Sequence, residues 1–349
     1  MSSRPRRLFA VGAVLTAAAL AISACGGSSS GSEQSSSTGS SAAGSSSTAG
    51  STAGSTAGTT DAQAAVTFNL TPEQDRITTP KVDAIAALVP QEIRDRGTLH
   101  VTGTVGTAPP LAFYADDDET IIGSEPDFAY LFADVLGLEV EYSAADWAQN
   151  FVRIDSGEAD VFILNVTVTE ERKEKYDFAT YRNDNLAFEV QQDSGVSITE
   201  PKDVAGLKIG VGSGTNQEKL LVDWSDANVA AGLEPTDIQY YQNASDYYLA
   251  LGSGRIDAYF GPNPTAQYHA ASTGETEVTG VFSGAGDALQ GEIATLTLKG
   301  NGLAEAFQAA INETIENGTY EQVLERWNLT SEAVDSSELN PPGLPKTAS

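Results

Sequence analysis

Residues 160–172 read DVFILNVTVTEER, an apolar run that ends in a charged turn. Asp160–Val166 reads as a buried strand. Thr169 then suits a helix N-cap, and Glu170 and Glu171 put carboxylates in the first turn, where they offset the helix dipole. Arg172 breaks the pattern, since a cation there costs a few tenths to about 1 kcal/mol. It calls for an anionic partner, either a neighbour such as Glu171 or a ligand.

Working outward from this stretch, strands and helices alternate on both sides of it. Thr98–Thr104 predicts a strand, and Phe128, Leu131, Phe132, Val135 and Leu136 line one face of a helix that Gly137 ends. Leu138–Ser143 predicts the next strand and Trp147–Asp155 a helix. A second set begins after Pro201, with strand Lys208–Gly212, a helix from about Asn216, strand Asp237–Tyr241, helix Ala244–Leu251 and strand Ile256–Phe260. Leu303, Phe307, Ala310, Ile311 and Thr314 form a last helical stripe, closed by Gly318. Two α/β sets and a return helix predict two similar lobes, one of them assembled from both ends of the chain.

The beginning of the chain reads as an address. Arg4, Arg6 and Arg7 precede the apolar run Leu8–Ile22, which is short for a membrane span. Ile22-Ser23-Ala24-Cys25 resembles a bacterial lipobox, with cleavage before Cys25 and a diacylglyceryl group on its sulfur. Two acyl chains give stable anchoring where one does not. Cys25 is the only cysteine, so no internal disulfide competes for it. From Gly26 to about Thr60 the chain is mostly Ser, Thr, Ala and Gly, a flexible tether with an r.m.s. reach of about 30–35 Å. These features predict a protein held by lipid at the extracellular face of a bacterial membrane.

Charge and side-chain inventory exclude several functions. The net charge is −29 before the three leader arginines are removed, so nucleic acid and anionic lipid headgroups are poor partners. Asp116-Asp117-Asp118-Glu119 reads as a solvated hairpin tip. The two histidines, His100 and His269, read as structural, and no histidine or cysteine spacing suits a metal. The G-x-S-x-G match at Gly27–Gly31 is low-complexity linker. GVGSGT (Gly210–Thr215) lacks the third glycine of a dinucleotide loop; it reads as a tight turn whose N–H groups, at the start of the Asn216 helix, face an anion.

From about Gly97 to Leu329 the chain resembles the family 3 extracellular solute-binding proteins, the amino-acid-type receptors of ABC importers. The matching pieces, in order, are GTLHVTGT from Gly97, Pro109-Pro110, Asp146-Trp147, DVFILNVTVTEER from Asp160 and DFATY from Asp177. They continue with DVAGLKIGVGSGTNQE from Asp203, GRIDA from Gly254 and NGTYEQVLERW from Asn317. The resemblance implies a periplasmic-binding-protein-like α/β fold, two lobes joined by two crossover strands that close on a ligand, with crossovers near Leu186–Gln192 and Glu292–Leu298. The chain then divides into a signal peptide (1–24), lipidated Cys25 with its linker (25–60) and an N-terminal extension (61–96). Beyond these come the first part of lobe 1 (97–190), lobe 2 (191–293), and a return to lobe 1 with a C-terminal tail (294–349). That tail, from Thr330, reads as extended chain wrapped on the first lobe.

The resemblance also answers the puzzle of Arg172. The arginine at this position grips the ligand's carboxylate, and a guanidinium fork does so in a bidentate way. Thr167 and Asn165, at the strand's end, complete the carboxylate site. The resemblance makes Trp147 an apolar wall, with Thr215, Asn216 and Gln217 reaching across from the second lobe. The acidic residue that usually holds the ligand's ammonium falls here on Pro262, a second acidic position on Val105, and an aromatic position on Ala108. The usual ammonium clamp is thus missing or moved, and Asn263, Asp146 and Glu125 are candidates to replace it. The function implied is capture of an amino acid or related small carboxylate for an ABC permease and its ATPase, by a monomer with no cofactor and no catalytic residue. A sensor subunit for such a solute, or a dehydratase-like enzyme on the same fold, are the alternatives.

Overall fold

The computed structural model describes residues 68–106 and 109–346. The leader, Cys25, the linker and Ala108 lie outside the described residues. Two short helices, α1 (Asp83–Ala86) and α2 (Gln91–Arg96), lead into β1 (Thr98–Gly103). A hairpin of β2 (Phe113–Tyr114) and β3 (Ile121–Ile122) precedes α3 (Ser124–Leu136), β4 (Glu139–Ala144), α4 (Trp147–Ser156) and β5 (Val161–Phe162). The long strand β6 (Tyr176–Gln191) leads to β7 (Lys208–Val211), α5 (Asn216–Ala230), β8 (Asp237–Tyr240) and α6 (Ala244–Gly252). Then come β9 (Ala258–Pro262), α7 (Asn263–Thr273), β10 (Thr276–Ser283), β11 (Gly291–Leu298), α8 (Leu303–Glu316) and α9 (Thr319–Arg326).

Strand β6 serves two lobes. Its first half, Tyr176–Asp184, pairs antiparallel with β11, which extends the parallel set β4-β1-β5. Its second half, Asn185–Gln191, pairs antiparallel with β10 on one edge and β9 on the other, and β7 and β8 continue that sheet in parallel. The chain therefore crosses between lobes at Asp184–Asn185 and again in the segment 284–290. Both crossings fall a few residues upstream of the stretches read from the sequence. The reason is pairing: β10 engages β6 from Asn185 onward, and β11 already belongs to the first lobe at Gly291.

The apolar stripe of α3 recurs at helical spacing, so Phe128, Leu131, Phe132 and Val135 are all fully buried against β1, β6 and α8. Gly137, at φ 68°, ends the helix in a left-handed conformation that costs glycine little. The second lobe closes on Leu186, Phe188, Val211, Leu221, Trp224 and Phe260, with the Phe188 and Phe260 rings stacked at 4.2 Å. Burying each such ring contributes about 1.5–3 kcal/mol. The acidic stretch at Asp116–Glu119 is the tip of the β2–β3 hairpin, where Asp117 accepts hydrogen bonds from the N–H groups of Glu119 and Thr120.

Both ends of the described chain reach from one lobe to the other. The Phe68 ring stacks on Tyr268 of α7 in the second lobe and packs against Trp327 of the first, each at 5.0 Å. At the other end, Leu344 pairs with Thr169 and buries its side chain in the second-lobe core. The tail thus ends on the second lobe rather than wrapping the first alone. Gly343 permits this close approach, because a Cβ there would lie 2.3 Å from the Val168 carbonyl oxygen. Among the described residues no helix is long and apolar enough to cross a membrane.

Candidate functional site

The stretch that poses the Arg172 question folds differently from a plain strand and helix. β5 ends at Phe162, four residues sooner than the apolar run suggests. Asn165 adopts a left-handed backbone, φ 45°, which asparagine tolerates better than most residues. The kink re-aims the chain along β11, where Thr167 bridges Ile293 and Ala294 N–H bonds to Val166. Thr169 does cap the turn that follows, its Oγ1 accepting from the Arg172 N–H at 3.0 Å. Only a short 3-10 turn, Arg172–Glu174, results.

The Arg172 guanidinium spans the cleft between the lobes. Nη1 donates to the Thr167 carbonyl at 2.9 Å and Nη2 to the Gly214 carbonyl of the second lobe at 3.1 Å. Trp147 Nε1 donates to the same Gly214 oxygen at 3.2 Å, and the guanidinium lies 5.4 Å from the Trp147 ring and 5.5 Å from that of Phe151. No described carboxylate is in ion-pair contact with Arg172. Loss of hydration pulls its pKa down to about 10, against the pull of Asp184 and Glu171, so it stays charged at neutral pH. Two carbonyl oxygens are a thin return for a half-buried cation with five N–H donors.

A cavity of about 200 Å³ lies beside this tie, between the lobes. Trp147 and Asn165 line it from the first lobe, and Thr215, Asn216 and Gln217 from the first turn of α5. Thr215 caps that helix, its Oγ1 accepting from Glu218 N–H at 3.2 Å. The N–H groups read as facing an anion do so internally: Gly214 N–H donates to the Glu218 carboxylate. Arg172 itself lines a neighbouring open recess of about 600 Å³, and Thr215 and Asn216 form walls of both. Thr167 is buried behind the cavity rather than on its surface.

Asp184, at the first crossing, holds these pieces in register. Its Oδ2 accepts from Thr167 Oγ1 at 2.7 Å and from Asn216 Nδ2 at 2.9 Å, so one carboxylate ties a first-lobe residue to a second-lobe residue. Asn216 Nδ2 also reaches the Gly284 carbonyl at 3.0 Å. Gly284 is required there, since a Cβ would sit 1.7 Å from Asp184 Oδ2. Burial raises the Asp184 pKa above the ordinary carboxylate value, against the hydrogen bonds from Thr167 and Asn216.

Sequence reasoning did not single out Asp184 or the aromatic end of the cavity, formed by Tyr241, Tyr247 and Tyr259. A signal for the latter exists: five of the chain's 12 tyrosines fall within residues 240–259. Pro262 and Val105 do line the cavity, so the acidic positions usual in the resembling receptors are uncharged here. Glu125 is fully buried and paired with Arg182 at 2.6 Å, while Asn263 lines a separate recess with Phe68 and Trp327. His269 is held by Glu189 and Thr276 and stacks on Tyr248, a structural arrangement. Among the described residues no His, Cys, Asp and Glu cluster could hold a metal ion.

Two lobes sharing a crossover strand, with a cavity between them, define a solute-binding architecture. Residues 101–330 match the model of bacterial extracellular solute-binding proteins, family 3, and the chain belongs to that family. It is 35% identical over 240 residues to the L-cystine-binding protein TcyJ of Escherichia coli (strain K12), covering 68% of this chain and 84% of that one. It is 29% identical over 270 residues to the arginine-binding protein ArgT of Corynebacterium glutamicum, covering 76% and 86%. Among solved structures, an ancestral arginine-binding protein bound to arginine is 30% identical, with a TM-score of 0.58, over 66% of this chain and 98% of that one.

Proposed function

We propose that the protein is the solute-binding receptor of an ABC importer, without catalytic activity of its own, and that it captures an amino acid or related small carboxylate by lobe closure. On this reading a lipid on Cys25 holds it, as a monomer, at the extracellular face of the membrane, where it hands the closed, loaded form to a permease and its ATPase. The observation that carries the reading is the Arg172 fork: a half-buried cation, bonded to carbonyls of both lobes and to no described carboxylate, beside a cavity between those lobes. The fork's acceptors are neutral carbonyls, and a ligand carboxylate would offer it an ionised acceptor that both arms can engage. Amino acids are favoured as the class because TcyJ and ArgT are named for cystine and arginine. Asn165 and Trp147 would meet the ligand from one lobe, with Thr167 behind them holding Arg172 through its carbonyl, and Thr215, Asn216 and Gln217 from the other; contacts made in both lobes are what shift the population toward closure.

The test is a thermal-shift screen of the full-length chain, unfolded and refolded to strip carried-over solute, against the amino acids and their amine-free analogues. A ligand at 100 times its dissociation constant adds about 2.7 kcal/mol, a rise of about 5 °C for a chain of this size. Arg172→Ala should abolish that rise. A rise that survives Arg172→Ala, or consumption of the ligand, would sink the reading. Anchoring is tested apart, since Cys25→Ala should release the protein from membranes into the medium.

A further inference from the structure

The receptor reading leaves open which amino acids the cavity admits, and its walls bear on this. Among the described residues that line it there is no lysine, arginine or histidine, and Asp146 is the one carboxylate. Asp146 occupies the N-cap position of α4 without capping it, and its carboxylate makes no hydrogen bond or ion pair to a described residue. Glu125, closed off by Arg182 and Tyr181, has no such freedom.

Apart from Asp146 the lining is uncharged. The stacked rings of Tyr247 and Tyr259, 3.6 Å apart, belong to it with Tyr241, Gln217 and Thr265. Gln217 and Thr265 are 6% and 5% exposed, and Gln217 Oε1 and Thr265 Oγ1 have no hydrogen-bond partner. Buried polar atoms left unpaired are costly, so a ligand group that pairs with them is favoured. The acid behind these rings, Glu189, is taken by His269 and Thr276 and does not line the cavity. A cationic side chain would be attracted by the aromatic faces. It would lose its hydration with no carboxylate there to replace it, a larger cost, and would face the positive end of α5. An anionic side chain would lie in one cavity with Asp146, in a chain of net charge −29.

We infer that the cavity selects amino acids whose side chain carries no net charge, with Asp146 receiving the ammonium and the Gln217–Thr265 end receiving the side chain. This rests on the receptor reading above. The experiment is titration calorimetry on the stripped full-length chain with L-glutamine, L-cystine, L-arginine, L-lysine and L-glutamate. Glutamine or cystine should bind at least tenfold more tightly than the three charged probes. Asp146→Asn should weaken the best ligand at least tenfold while leaving the melting temperature of the unliganded protein unchanged. Gln217→Met should weaken it at least fivefold. Arginine, lysine or glutamate binding as tightly as the best neutral probe overturns the inference, as does an Asp146→Asn effect under threefold. In either case binding that Arg172→Ala abolishes still leaves the receptor reading standing. If none of the five binds, the inference falls, and the full screen above decides the receptor reading separately.

Discussion

Glu332 offers the sharpest test of the physics inside the first lobe. Arg182, fully buried on β6, pairs with two carboxylates, Glu125 at 2.6 Å and Glu332, and donates to the cavity residue Asn165 at 2.8 Å. One cation thus serves two acids, and Glu332 Oε1 is left without a partner. Burial pushes Glu332 up to about 7 from 4.5, against the pull of Arg182 and with Asp184 and Glu125 adding to the rise. A raised carboxylate pKa means the folded protein holds this proton more firmly than the unfolded chain does. The stability it contributes is present below about pH 4.5 and is lost as pH rises to about 7. At 1.36 kcal/mol per unit the full effect is about 3 kcal/mol, most of which falls between pH 5 and pH 8. Glu332→Gln removes the titration while keeping the shape, and leaves Arg182 with one carboxylate to one cation. Urea unfolding of both proteins across that range should show the variant gaining on the wild type by about 2–3 kcal/mol from pH 5 to pH 8. A difference that stays constant with pH would refute the argument.

Three further outcomes follow from the geometry. Phe68→Ala removes the aromatic pair with Tyr268 that crosses the lobes, worth about 0.5–1.5 kcal/mol, so ligand affinity by calorimetry should fall about two- to tenfold; unchanged affinity would mean the contact is no part of closure. Gly343→Ala forces a methyl group against the Val168 carbonyl and should cost about 1–3 kcal/mol in denaturant unfolding, with no loss telling against the tail's close packing. Arg172→Lys keeps the charge but not the fork that reaches Thr167 and Gly214 together, so on the proposed reading affinity drops at least tenfold. Near-wild-type binding by the lysine variant would show that charge alone suffices there.

What the sequence revealed depended on how local the determinant was. The helix α3 and the strand–helix alternation were legible because each apolar face repeats within a dozen residues. The end of β5 was not, since its apolar run continues past the kink at Asn165 and only the pairing with β11 shows where the sheet stops. Strand β10 was missed because it carries no strong apolar periodicity. Trp147 and Thr215–Gln217 could be named from register with related receptors because they sit at the starts of α4 and α5, and Asn165 because it lies in the same matching stretch as Arg172. Asp184 could not be, because it reads as one polar letter in Arg-Asn-Asp-Asn while its partners Thr167 and Asn216 lie 17 and 32 residues away. Glu332 is more remote still, 150 residues from Arg182. Charges that pair across such separations leave no periodic trace.

On the proposed reading, the Gly214 carbonyl gives lobe closure a threshold. It receives both Arg172 Nη2 and Trp147 Nε1, so the lobes meet there through first-lobe donors and a second-lobe acceptor. A hydrogen bond from a charged group contributes about 1.5–3 kcal/mol net, against about 0.5–1.5 for a neutral one. On the proposed reading a ligand that reaches Arg172 must replace at least one of these bonds before it adds anything. A solute offering another neutral oxygen would exchange like for like and leave the open–closed balance where it was, because only differential affinity moves a population. A carboxylate exchanges a neutral acceptor for an ionised one that can engage both arms of the fork. Selection for a carboxylate is then built into the competition at Gly214, and the neutral walls of the cavity need only discriminate among side chains.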